Sequence, residues 1–161
     1  MKKPVVIILI IVAGIGAAAF GYWTISPLFI DVRVSEEMPQ SERITKDESG
    51  ITKEPVSETV AMGDFRGLQG HSASGTAKLL KVGDKNFVRF EDNFDVTNGP
   101  DLFVYLGKNG QYDPAANLGN LKGNIGSQNY EIPAGINLVE YDSVWVWCRA
   151  FSVAFGSADF K

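Results

Sequence analysis

From Met62 onward glycine cuts the chain into short runs of alternating character. The runs are "GDFRGLQG", "SGTAKLLKV", "NFVRFED", "DLFVYLG", "QNYEIP", "DSVWVWCRAF" and "SVAFGSADF". Thirteen of the seventeen glycines lie after residue 61, so the breaks recur along the whole stretch. Short alternating segments punctuated by Gly, Asn and Asp read as strands and turns, and this spacing predicts an all-β sandwich or barrel. No window of twelve residues carries a helical apolar stripe. "DPAANLGNLKG" (113–123) could hold one turn of helix. A domain spanning 61–161, in a chain that is 45% apolar and 21% charged, can build one packed core.

The amino end differs in kind. No charge occurs from Pro4 to Ile30. A bilayer core takes roughly 20 apolar residues in a helix, and Val5 to Trp23 supplies such a run, with Tyr22 and Trp23 at the interfacial position for aromatics. Lys2 and Lys3 precede it, which under the positive-inside rule leaves the short amino end in the cytoplasm. Residues 1–30 are therefore expected to be a single-pass anchor at the cell membrane, with the carboxyl-terminal domain outside the cytoplasm. A cleaved signal peptide is the other reading, with Val5 to Gly16 as its apolar region and Ala17-Ala18-Ala19 near a cleavage point. Both readings put the domain in the same compartment.

Residues 31–60 carry eight acidic and four basic residues and no aromatic one. Such a stretch buries too little apolar surface to order itself. It is expected to be an acidic, flexible stalk, spanning roughly 30 Å on average. The alternative is that part of it packs as an extra strand. The net charge of −4, with no basic patch, argues against a nucleic-acid partner.

Cys148 is the one cysteine, so no internal disulfide can form. Alternation along 142–151 puts Val144, Val146, Cys148 and Ala150 on one face, small and apolar, expected to point into the core. Ser143, Trp145, Trp147, Arg149 and Phe151 share the other face. There Trp145, Trp147 and Arg149 could form an exposed contact face or be covered by a neighbouring loop. Arg149 points away from the thiol and is poorly placed to activate it. A thiol in apolar surroundings is inert, so from the pattern alone Cys148 reads more readily as packing than as chemistry.

Four ordered signatures carry a family resemblance. They are the G-x-F and H-x-x-S-G of "GDFRGLQGHSASGTAKL" (63–79), the G-P-D-L of "NFVRFEDNFDVTNGPDLFVYLG" (86–107), the Y-x-I-P of "YEIP" (130–133), and the W-C-x-x-F-x-V-x-F-G-x-A of "DSVWVWCRAFSVAFGSADF" (142–160). Together they resemble the DM-thirteen domain of Skeletor-like and microbial envelope proteins, over nearly all of 61–161. The resemblance implies an all-β electron-transfer module. It also implies that the motif cysteine, here Cys148, works as a bare thiol or as ligand to a prosthetic group such as haem.

His71, in "GHSASG", is the only histidine. With Cys148 it would make a two-ligand set for haem iron. The plain alternative is a turn histidine bonded locally. A C-x-x-C-H attachment motif is lacking, so any haem would be non-covalent. A blue-copper site needs two histidines, and a structural zinc site four Cys or His ligands. Glu91, Asp92, Asp95 and Asp101 gather oxygen ligands of the kind calcium takes, but not at EF-hand spacing. With neither a G-x-S-x-G elbow nor a phosphate loop, catalytic residues are not expected, and the chain is not expected to be a self-sufficient enzyme. The reading is a membrane-anchored redox module with a partner redox protein. The rival is a non-redox binding or adhesion module in which Cys148 only packs.

Overall fold

A computed structural model describes residues 3–25, 30–47 and 50–161, and the side chains of 4–22, 30–41 and 56–161. The helix α1 (Lys3–Ile25) presents its apolar side chains to the outside, and its segment Pro4–Tyr22 is long and apolar enough to cross a membrane. The Trp23 side chain and residues 26–29 of the uncharged run lie outside the described residues.

The rest is β structure. Its strands are β1 (Arg33–Ser35), β2 (Ser41–Asp47), β3 (Gly50–Val56), β4 (Glu58–Gly67), β5 (Ala73–Ser74), β6 (Thr76–Val82), β7 (Lys85–Phe90), β8 (Asp95–Val96), β9 (Leu102–Lys108), β10 (Gln111–Asn120), β11 (Ile125–Ile132), β12 (Ser143–Cys148) and β13 (Val153–Asp159). One open sheet runs β10-β9-β12-β13-β4-β6-β7-β11-β8-β5. The all-β expectation holds.

The long strand β4 joins the two halves of the sheet. Its Gly67, Arg66 and Phe65 pair with β13, while Asp64 back to Glu58 pair with β6. Leu102, Val104 and Leu106 of β9 and Val144, Val146 and Cys148 of β12 share one core with Leu79, Val88, Phe90 and Tyr130 of the other half. The period-two spacing of these residues within their strands is what delivers them all to one side. Segment 113–123, read above as a possible helical turn, is instead mostly strand β10. Its irregularity is taken up by register shifts between Tyr112 and Asn117 and between Asn117 and Gly119.

The stalk expectation fails over its first third. Arg33, Val34 and Ser35 pair in parallel with Ile125, Gly126 and Ser127 of β11. The backbone bonds continue with Glu36 N–H to the Ser127 carbonyl at 2.9 Å. Polar groups hold this strap. Val32 N–H donates to Asn124 Oδ1 at 2.7 Å. Arg89 Nη1 donates to the carbonyls of Glu36 and Glu37, and Lys122 Nζ to Glu36 Oε1 at 2.7 Å. Gly123 and Gly126 make room for it, because a Cβ at either would collide with the carbonyl oxygens of Val32 and Val34 respectively. Composition fails here because backbone pairing needs no aromatic or aliphatic surplus. Further on, β2 and β3 form a separate hairpin.

The strap runs along β11 in one direction, and that direction labels the ends of the domain. The chain enters beside Asn98 and Asn124, both of which donate to Asp31 Oδ1 at 2.9 Å. At this end β9 begins and β12 finishes, with Cys148 opposite Leu102. The far end holds the Gly107–Gln111 turn and Gly83, against which Ser41 stands as the hairpin departs.

Candidate functional site

Strand β12 lies between β9 and β13. Val144, Val146 and Cys148 turn into the core as the alternation requires, whereas Ala150 is exposed because the strand ends at Cys148. The Cys148 side chain is 0% exposed, with strand partners Leu102 on β9 and Val153 on β13.

Three of the family signatures meet around it. The Gly99-Pro100-Asp101-Leu102 turn is fixed by the Arg149 N–H, which donates to the Asp101 carbonyl at 3.0 Å. Gly99 is required where it stands, since a Cβ there would lie 2.9 Å from both Leu102 Cδ2 and Phe155 Cε1. Phe155 is the extra residue of a β-bulge: Val146 pairs with Gly156, while Trp147 pairs with Ala154. The His71 ring stacks on Phe155, and the Leu68 N–H donates to the Phe155 carbonyl at 3.0 Å. His71 and Cys148 are thus related through β13: Phe155 carries the imidazole, and Val153, two residues away, pairs with the thiol strand. The fourth signature is structural, with Tyr130 and Ile132 in the core and the Tyr130 hydroxyl donating to Gln128 Oε1 at 2.6 Å.

The opposite face of β12 is covered by β10. Trp145 is 8% exposed, and its Nε1–H donates to Ser143 Oγ at 3.0 Å. Trp147 is half-buried and stacked on Tyr112, with centroids 4.1 Å apart. Tyr112 in turn meets Tyr105 edge-on at 5.2 Å. Burial above all raises the Tyr105 phenol beyond its ordinary value. Arg149 lies over Phe103, its Cζ 3.5 Å from the ring centroid, and its Nε donates to Asp101 Oδ2 at 3.3 Å. The guanidinium is engaged on this face and does not serve the thiol. The layer's signal is in the sequence: Phe103 and Tyr105 alternate outward in "DLFVYL" as Trp145 and Trp147 do in "VWVWC", and the two rows pair across β9 and β12.

The acidic cluster disperses. Glu91 pairs with Lys78 at 2.9 Å and lies 3.4 Å from Arg89 Nε, while Asp101 takes Arg149. Among the described residues no three His, Cys, Asp or Glu side chains converge.

A haem held by Cys148 does not fit these residues. Iron ligation needs an open approach to the sulfur and a wide slot for the macrocycle, whereas Cys148 is closed in by the core. A cavity of about 180 Å³ beside the Gly99 turn is lined by Val32, Asp101, Leu121 and Lys122, and neither Cys148 nor His71 is on its wall.

A family model described as electron transfer DM13 matches residues 64–160. Neither a curated protein nor a solved structure matches the chain.

Proposed function

The chain belongs to the electron transfer DM13 family, and on that footing we propose that it is a membrane-anchored, extracytoplasmic redox module whose working group is Cys148. The observation that carries this reading is convergence. The sole thiol sits where the W-C, G-P-D-L and V-x-F-G signatures pack on one another, through Leu102, Gly99 and Phe155. The apolar helix α1, preceded by Lys2, supports the anchor and the outside location.

Burial limits the chemistry. Thiol–disulfide exchange needs a thiolate that a second sulfur can reach, and Cys148 offers no such access. An intermolecular disulfide is disfavoured for the same reason. What remains is exchange of a single electron with a partner redox protein. A one-electron acceptor on the partner is reduced, the sulfur is left as a thiyl radical, and the thiol proton leaves when the core around Cys148 opens transiently. The aromatic layer behind Cys148 leads from this strand to the half-buried Tyr112 and Trp147.

The test is voltammetry of the full chain in lipid nanodiscs. One electron per chain is expected in the wild type, and none in folded Cys148→Ala or Cys148→Ser. A silent wild type, or a couple that survives both substitutions, overturns the reading. A specific observation favours the second reading, a binding module in which Cys148 only packs: the sulfur has the enclosed apolar setting of an ordinary core residue. That module would not use a Trp145/Trp147/Arg149 platform, because Trp145 is buried, Tyr112 stacks on Trp147 and Arg149 is drawn to Asp101.

A further inference from the structure

We propose that the end of the β domain holding Cys148 rests on the membrane surface, with Phe151 and Ile30 seated in the lipid interface. The inference builds on the anchor reading and adds an orientation to it. The helix α1 ends at Ile25, and Asp31 is already hydrogen-bonded to Asn98 and Asn124. Five residues separate these points, six Cα–Cα steps that even fully extended reach only about 20 Å. The helix has 23 residues, about 34 Å at 1.5 Å per residue, against a hydrocarbon core of about 30 Å. The span is therefore used up near the interface, and the short tether delivers the domain there with one end first.

That end is the one beside Asn98, where β9 starts and β12 finishes. It carries exposed apolar side chains. Phe151, at the tip of the β12–β13 turn, is 60% exposed, and Ile30 and Val32 on the incoming chain are 51% and 49% exposed. The turn is held out by Ser152 in the left-handed region, φ 54°. An exposed aromatic ring on a turn at the same end as exposed aliphatic side chains suits the boundary between headgroups and acyl chains. The charges nearby do not favour an acidic surface, because Arg149 is paired with Asp101 and Lys122 with Glu36. The partner is thus the bilayer interface itself, and a zwitterionic bilayer should suffice.

The test uses the full chain in phosphatidylcholine vesicles carrying one nitroxide, at Phe151→Cys or, as the far-end control, Val139→Cys. Val139 is 94% exposed and lies next to Glu140, which pairs with Lys108 beyond the end of β9's core run. Cys148 is buried and should take no label in the unsubstituted chain. At 151 the label should be relaxed more by oxygen, which partitions into lipid, than by a neutral water-soluble nickel chelate, and at 139 the order should reverse. Vesicle-bound chains with both labels water-exposed would overturn the orientation while leaving the anchor intact. Chains that fail to float with the vesicles would overturn the anchor reading and the orientation with it.

Discussion

His71 lies flat against Phe155, with ring centroids 3.6 Å apart and planes 10° from parallel. The imidazole caps a ring that is itself 1% exposed and sits on the bulge of β13. An aromatic pair of this kind contributes about 0.5–1.5 kcal/mol beyond its area. His71→Ala should lower unfolding stability by that order, and His71→Phe should restore most of it. Urea unfolding checks both, and equal losses would show that the ring's role is not stacking.

Cys148 separates packing from polarity. Cys148→Ala deletes one buried atom and should cost about 1 kcal/mol. Cys148→Ser keeps the size but buries a hydroxyl in an apolar cluster, which costs about 1–3 kcal/mol if unbonded. Serine should therefore be the worse substitution by thermal unfolding, despite being the closer isostere. The native thiol should resist alkylation until denaturant is added.

Gly126 has φ +93°, and the Val34 carbonyl lies where its Cβ would be. Gly126→Ala should strain the backbone and push the strap off β11. Limited proteolysis is expected to cut near Arg33 in the variant and spare the wild type. Equal resistance in both would mean that the strap tolerates displacement of its neighbour.

The strap should also loosen in acid. Burial pushes the Glu36 carboxyl up, but the Lys122 ammonium and the Asn129 N–H, at 2.8 Å, outweigh it and hold the carboxyl below its ordinary value. A group lowered on folding contributes stability that is complete above the ordinary glutamate range and is lost as pH falls through the lowered value. Glu36→Gln should therefore be less stable than the wild type at neutral pH. The gap in urea midpoint should close as the pH drops below about 4. A gap that stays constant with pH would show that the charge is not what holds the strap.

Much of the β domain was legible because its information is periodic. "LFVYL" and "VWVWC" declare both faces of β9 and β12, and the glycines mark the breaks. The strap was not legible, because Arg33-Val34-Ser35 binds through backbone and through polar side chains from distant segments. A trace of it exists in "GNIG" (123–126), where glycines inside strand sequence mark close approach of another backbone. The surroundings of Cys148 were half legible. Alternation gave its inward direction, but the bulge that seats Phe155 against Gly99 depends on pairing between strands, which local pattern does not encode.

The pairing of β1 with β11 and of β4 with β13 sets a timetable for biogenesis. Each strand finds its neighbour about ninety residues later in the chain. Contacts so distant in sequence form slowly and only after most of the chain has been made. During synthesis β4 has one open edge and the strap has nothing to dock on, and an unpaired edge invites association with other chains. A chain stalled before β13 would retain that edge, open to its neighbours. Quality control of this protein therefore falls on the synthesis of β13.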